Sequence, residues 1–173
     1  EYLEKHGYEI TYLPVNEDGL VNPDDLEKAI TDNTILVSIM FANNEIGTIQ
    51  PIEEIAKITK FKGVYFHTDA VQAFGKLKIS PSALGVDLLS ASGHKIHAPK
   101  GIGFLYIKKG VHIPPTVFGG GQQNGIRPGT ENVPGIAGIG KAVEEIFRNF
   151  EKDIDELYSI KQYFVDEITK IDG

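Results

Sequence analysis

Val86-Asp87-Leu88-Leu89-Ser90-Ala91-Ser92-Gly93-His94-Lys95 passes from an apolar run into small polar residues, a histidine and a lysine. Ile96-His97-Ala98-Pro99-Lys100-Gly101 then turns the chain, and Gly103-Phe104-Leu105-Tyr106-Ile107 is apolar again. The first run is predicted to be a buried strand over 86–91, and the short turn favours an antiparallel neighbour after it. A lysine at the mouth of a buried strand is an unusual place for a solvated charge. Burial lowers the pKa of an ammonium, and a neutral amine attacks carbonyls. Lys95 is therefore the candidate nucleophile, with Ser92 and His94 placed to hold a partner beside it.

Upstream, residues 34–41 are almost continuously apolar, the pattern of a central parallel strand buried on both faces. They lead into a polar loop, Ala42-Asn43-Asn44-Glu45-Ile46-Gly47. A helix opens at Pro51, with Ile52, Ile55 and Ile58 on one side and Gly63 as its stop. Residues 64–67 form the next predicted strand, ending at Thr68-Asp69-Ala70-Val71-Gln72. Strand, helix and strand in this order make a βαβ unit with a right-handed crossover. Residues 73–85 connect it to the lysine strand.

Earlier still, residues 8–15 alternate and carry β-formers, which predicts a strand. Asn22-Pro23-Asp24-Asp25 predicts a short helix to about Ile30, with a capping Asn, Pro at the first position and acids at the positive end. After the lysine turn comes a Gly/Pro-rich loop holding Gly119-Gly120-Gly121 and Arg127-Pro128-Gly129-Thr130-Glu131-Asn132. Helical periodicity then returns at Ile136, Ile139, Val143, Ile146 and Phe147, and again at Ile154, Leu157, Phe164, Ile168 and Ile171.

Composition narrows the classes of function. The 173 residues carry 17 basic and 24 acidic side chains, a net charge of −7, which argues against a nucleic-acid partner. No run approaches the roughly 20 apolar residues of a membrane helix. With no cysteine, the chain has no disulfide, thiolate metal site or cysteine nucleophile of its own. Cytoplasm is the default location. The start, without an initiator Met and reading as a helix tail capped at Gly7, suggests a fragment of something larger, as does the long helix before Gly173.

Each polar residue at these strand ends has an ordinary explanation. Asp69 suits a helix cap or turn, Asn44, Ser92 and Thr130 suit loops, and His67 and His97 suit structural hydrogen bonding. Their combination is more informative. Three strands deliver an amide, a carboxylate and an amine to one edge of an α/β sheet, which is where such sheets bind ligands. Pyridoxal phosphate needs all three kinds of group. Its aldehyde takes a lysine and its pyridine nitrogen takes an acid. Its phosphate takes hydroxyls, a histidine and backbone N–H groups.

The run Val86–Lys95 with Gly101-Ile102-Gly103-Phe104-Leu105 resembles the pyridoxal-phosphate attachment site of the class V aminotransferases. Within that family, Met40-Phe41-Ala42-Asn43-Asn44-Glu45-Ile46-Gly47, His67-Thr68-Asp69-Ala70-Val71-Gln72 and Arg127–Asn132 are similar to the NifS/IscS-type cysteine desulfurases. The resemblance implies a three-layer α/β/α, mostly parallel sheet belonging to the large domain of the fold-type I pyridoxal-phosphate enzymes. Residues 1–150 would be part of that domain, and 151–173 a long helix leading toward a small domain. Lys95 would carry the cofactor and move the substrate's α-proton, and Asp69 would pair with the pyridine nitrogen. Gln72 would bond the phenolic oxygen, with Asn44 near that oxygen and the substrate carboxylate. Ser92 and His94 would hold the phosphate. Thr130 would reach the phosphate of the neighbouring subunit of a homodimer, while Arg127 orders its own loop.

The implied reaction is conversion of L-cysteine to L-alanine, with sulfur passed to an enzyme cysteine as persulfide. The sulfur then goes to an acceptor such as an iron–sulfur scaffold protein or to thiolation. The family's earlier phosphate contacts and stacked histidine, and its later substrate-binding Arg and sulfur-accepting cysteine, have no counterpart here. The chain alone is thus expected to be inactive. Three competing readings remain: another class V enzyme such as a selenocysteine lyase or aminotransferase, a metal-dependent hydrolase using His67, Asp69, His94 and His97, and an inactive scaffold fragment. A dinucleotide site is disfavoured, because Gly119-Gly120-Gly121 lacks the third Gly and does not follow the first strand.

Overall fold

The computed structural model describes residues 2–171. Four strands stand side by side in sequence order: β1 (Leu36–Met40), β2 (Tyr65–Asp69), β3 (Leu88–Ser92) and β4 (Gly103–Ile107). β1–β2 and β2–β3 are parallel and β3–β4 is antiparallel, so the sheet is parallel-dominated with a turned-back edge. Five helices accompany it: α1 (Pro23–Ala29), α2 (Ile52–Lys62), α3 (Pro81–Leu84), α4 (Val133–Arg148) and α5 (Phe150–Ile168).

Local chemistry accounts for the helix ends. Asn22 Oδ1 accepts from the Asp24 N–H at 2.9 Å, and Pro23 fills the first position, where its missing N–H costs nothing. α2 buries Ile52, Ile55, Ala56 and Thr59 at helical spacing and stops at Gly63, whose φ of 71° closes the last turn. That stripe packs on Val37, Phe66 and Leu89 of the sheet. Phe66 and Ile55 are fully buried, and each contributes on the order of 2–3 kcal/mol of transfer free energy.

Three expectations change. Residues 8–15 form no strand. Most of them are exposed, but Ile10 and Leu13 are half-buried and Leu13 packs against the core, so the segment lies along the domain with an isolated bridge from Val15 to Val21 instead of a ladder. β1 is buried on one face only: Val37 is covered, whereas Leu36 and Ser38 are exposed. It is an edge of this sheet among the described residues, so its continuous apolar run does not reflect two covered faces. The connection 73–85 contains the one-turn helix α3, led by Pro81 and ended by Gly85, too short to show a period.

Strand ends matter more. β2 runs to Asp69 and β3 to Ser92, each beyond its predicted limit. Both side chains are therefore aimed by the pleat rather than by a loop, and strand alternation puts His67 with Asp69, and Ser90 with Ser92, on common faces. Asp87 fixes where these strands begin. Its N–H donates to Phe66 O at 2.9 Å, and its Oδ2 accepts from the Phe66 N–H at 3.0 Å. On its other side Asp87 O accepts from the Lys108 N–H at 2.9 Å, and Oδ1 takes the Lys108 ammonium at 2.8 Å. One aspartate joins β2 to the segment after β4, and its carboxylate holds the Lys108 pKa above that of a free lysine.

α4 packs against the turn that follows β3. Phe147 stacks on Phe150 at 5.1 Å, and Phe74 meets Phe104 edge-on at 5.1 Å. Gly75, at φ 80°, lets the chain pass under that turn: a Cβ there would lie 2.6 Å from Ile96 Cγ2. Beyond Phe150, α5 is largely exposed, including Leu157, Ile160, Tyr163 and Phe164. No described helix is long and apolar enough to cross a membrane.

Candidate active site

The ends of β1, β2 and β3 are tied together by backbone bonds. Phe41 N–H donates to Asp69 O at 2.8 Å, and Ala70 N–H donates to Ser90 O at 2.9 Å. Asp69 Oδ1 accepts from the Val71 N–H at 2.9 Å, which orients the carboxylate. One strand over, Ser92 Oγ and His94 Nδ1 are 2.7 Å apart, a paired hydroxyl and imidazole at the start of a 3-10 turn, Gly93–Ile96.

That turn is held at its base. Gly93 N–H donates to Ile102 O at 2.9 Å, and a Cβ on Gly93 would sit 2.9 Å from Ile102 Cγ2. His97 closes the turn in the left-handed region at φ 63°, the structural role expected of it. Only Gly93 and Ile96 of the turn are buried, so Lys95 projects beyond β3 with an exposed side chain. The burial that the strand-mouth reading anticipated for Lys95 is not found.

Gln72 follows on the turn after β2. Lys76 Nζ donates to both Gln72 O and Gln72 Oε1 at 3.1 Å. An ammonium can only donate, so the amide oxygen faces Lys76 and the NH2 group is left for another acceptor. Partial burial, and secondly the charge of Lys95, push the Lys76 pKa below that of a free lysine. Lys95 is therefore within electrostatic reach of the Gln72–Lys76 pair.

The two remaining candidates are not drawn into this cluster. Asn44 is exposed, and its Nδ2 donates to Glu45 Oε1 at 2.7 Å. Its neighbour Asn43 shapes the loop, with Oδ1 accepting from the Glu45 N–H at 2.8 Å and the Ile46 N–H at 3.0 Å. Thr130 is exposed in the Gly/Pro-rich loop. Arg127 Nη1 donates to Pro128 O, and Gly129 N–H donates to Gln122 Oε1 at 3.1 Å, so the loop is ordered from within.

The strand-end groups fit pyridoxal phosphate in kind: an oriented carboxylate, an amide with its NH2 available, a hydroxyl–imidazole pair, and a lysine. A metal does not fit. Among the described residues no group of three or more His, Asp or Glu could hold one. His67 instead spends both ring nitrogens on serines, Ser38 Oγ and Ser90 Oγ, each at 2.8 Å. The hydrolase reading loses its centre.

Three further groups, Ser38, Ser90 and Lys76, join these strand ends without having been singled out from the sequence. Ser38 and Ser90 were detectable as polar residues in apolar strands, each two residues before the strand's last residue. Lys76 stands four residues after Gln72, a spacing that puts the two side chains together when the chain turns helically.

The chain is similar to known proteins in sequence and fold. A family-wide profile, Aminotransferase class-V, matches residues 1–173. The cysteine desulfurase IscS of Dictyoglomus turgidum is 55% identical over 169 residues, 98% of this chain and 43% of its own length. The IscS of Methanosarcina thermophila is 54% identical over 170 residues, 98% of this chain and 42% of its own. The chain thus spans less than half the length of these relatives. Among solved structures, a NifS-like protein superposes with a TM-score of 0.94 at 43% identity, covering 98% of this chain and 47% of the other. A structure of SspA in complex with cysteine gives 0.82, also at 43% identity, covering 90% and 47%. Matched by the family profile from end to end, the chain belongs to the class V aminotransferases.

Proposed function

We propose that this chain forms the cofactor-binding part of a pyridoxal-phosphate-dependent cysteine desulfurase, which converts L-cysteine to L-alanine and passes sulfur to a cysteine thiol as persulfide. The carrying observation is that the Ala70–Ser90 bond sets Asp69, at the end of β2, beside the β3 end from which Ser92, His94 and Lys95 follow. The names of relatives, printed as cysteine desulfurase, support cysteine as the substrate and removal of its sulfur; an iron–sulfur scaffold protein or a thiolation pathway as the acceptor is part of the proposal.

Pyridoxal phosphate, when bound, supplies an aldehyde for an amine and a ring that draws electrons from a bond broken at Cα. The residues of this chain do the rest. Lys95 Nζ is the amine and later carries a proton to or from the substrate's Cα. Asp69 Oδ2 accepts a hydrogen bond from the ring N–H and keeps that nitrogen protonated. Ser92 Oγ and the His94 ring donate to the phosphate. The Gln72 NH2, set by Lys76, donates to the phenolic oxygen, and Asn44 serves the same oxygen and the substrate carboxylate. Thr130, exposed and outside the cluster, serves a second subunit's phosphate in a homodimer. The chain has no cysteine, so the sulfur-accepting thiol is contributed from outside these 173 residues. We place the reaction in the cytoplasm.

Borohydride reduction in the presence of pyridoxal phosphate, followed by peptide mass mapping, tests the reading. A pyridoxyl adduct on Lys95 is expected. An adduct spread over surface lysines, or none, refutes it.

A further inference from the structure

Ser38, His67 and Ser90 form a line of side-chain hydrogen bonds across β1, β2 and β3. Ser38 Oγ lies 2.8 Å from His67 Nδ1, and His67 Nε2 lies 2.8 Å from Ser90 Oγ. None of the three has a part in the chemistry assigned to Lys95. Their placement is regular: each stands two residues, one same-face step, before the last residue of its strand. Those last residues are Met40, Asp69 and Ser92. A neutral imidazole has one donor and one acceptor. One serine hydroxyl must therefore donate into the ring while the ring N–H donates to the other, which orders all three groups.

The ladder between β2 and β3 is shorter than the one between β1 and β2, and the Asp87–Phe66 and Ala70–Ser90 bonds extend it at its two ends. β1 and β2 share five register pairs, whereas β2 and β3 share three, the last being Asp69 with Ser90. The His67 side of the sheet also exposes Leu36 and Tyr65, so packed side chains do little to hold the strands together there. The β2–β3 gap is the one that matters for a ligand whose two ends are gripped by Asp69 and by the Ser92–His94 pair.

We propose that His67 is a positioning residue: by bonding Ser90, it sets the separation of β2 and β3 just below the site, so that the ring end and the phosphate end of one ligand are held at once. The bond to Ser38 completes the ring's hydrogen bonding and orients it. This rests on the pyridoxal-phosphate reading above. Loss of the bridge weakens the coupling between the two ends more than it weakens either end alone.

Pyridoxal, which lacks the phosphate, supplies the control. Dissociation constants for pyridoxal phosphate and for pyridoxal are measured by absorbance titration for the parent chain and for three variants. His67→Phe keeps a ring but removes both bonds. His67→Asn puts an amide atom near the Nδ1 position and keeps the Ser38 bond, while His67→Gln reaches the Nε2 position and keeps the Ser90 bond. The preference for pyridoxal phosphate over pyridoxal is expected to fall about tenfold in the Phe and Asn variants and to be restored in the Gln variant. A preference within about twofold of the parent in His67→Phe overturns the proposal, as does a Gln variant no better than Asn. Should His67→Phe fail to fold, the Gln-against-Asn comparison decides by itself. Borohydride trapping on the parent separates the two failures. Without a Lys95 adduct the cofactor reading falls and takes this proposal with it; with the adduct present and the preference unmoved, only the role of His67 falls.

Discussion

Asp87→Ala should be among the most damaging single changes outside the site, although the residue touches no ligand. Its carboxylate makes two bonds of different worth. Oδ2 accepts from the N–H of Phe66, a fully buried residue, at 3.0 Å. Removing it strands a donor where water cannot easily replace the partner, at a cost of about 1–3 kcal/mol. Oδ1 binds Lys108, whose side chain is 47% exposed while that of Asp87 is 14% exposed. A pair with one partner so open to solvent contributes about 0–1 kcal/mol. The sum is roughly 1–4 kcal/mol for Asp87→Ala. Asp87→Asn keeps a carbonyl for the Phe66 N–H and should lose about 1 kcal/mol, and Lys108→Ala less than about 1 kcal/mol. Urea unfolding followed by far-UV circular dichroism gives all three on one scale. The reasoning is refuted if Lys108→Ala costs as much as Asp87→Ala, since the ion pair and not the capped N–H would then carry the energy. It is equally refuted if Asn is as harmful as Ala.

Asp69→Ala, in the complete enzyme, should lower turnover by roughly 100-fold or more while the melting temperature barely moves; near-normal turnover removes Asp69 from its assigned role. His67 predicts a stability that depends on pH. Burial lowers its folded-state pKa, against a smaller opposing pull from Asp69, so the unfolded chain takes up a proton first as pH falls. Stability is therefore complete above about pH 6.5 and declines below it until the folded-state pKa is reached. Unfolding midpoints between pH 7 and pH 5 should show this decline, and His67→Gln should flatten it. Gly103→Ala would put a Cβ 2.6 Å from the backbone oxygen of Ala91. Because that neighbour is backbone and cannot rotate away, we expect about 1–3 kcal/mol of destabilisation by urea titration; a neutral result would mean that β4 can shift freely against β3.

The parallel order of β1, β2 and β3, and the reversal at β4, were legible because apolar runs of strand length alternate with a helical stretch and then with a tight Pro/Gly turn. Asp69, Ser92 and Lys95 were legible as polar residues that end such runs. Less visible were features that depend on what lies beside the chain. Residues 8–15 have the alternation of a strand yet build no ladder, only the isolated bridge from Val15 to Val21. Residues 34–41 have the composition of a doubly covered strand, yet β1 is covered on one face. The Ser38–His67–Ser90 line needs a register between three strands, and no single segment encodes a register. Lys95 shows the limit of reading charge from position: the strand beneath it is buried, but the turn carries its side chain outward.

The two glycines at the foot of the lysine turn give it an asymmetric tolerance to changes of length. Gly93 and Gly103 each occupy space in which a methyl group would strike the opposite segment, so the turn is pinched shut at its base. Lys95 is two residues beyond the pinch on one side and eight before it on the other. Ala98 N–H donates to Gly93 O at 3.0 Å and Pro99 lies against Gly138 of α4, so only a change of length at the exposed Lys100–Gly101 link alters the outer arc alone and leaves the lysine its distance from Ser92. One residue added between Gly93 and Lys95 would rotate the amine away from Ser92, whatever remained of the fold. Length variation in this hairpin is thus confined to its descending half, and a loop graft meant to reshape the site should enter there.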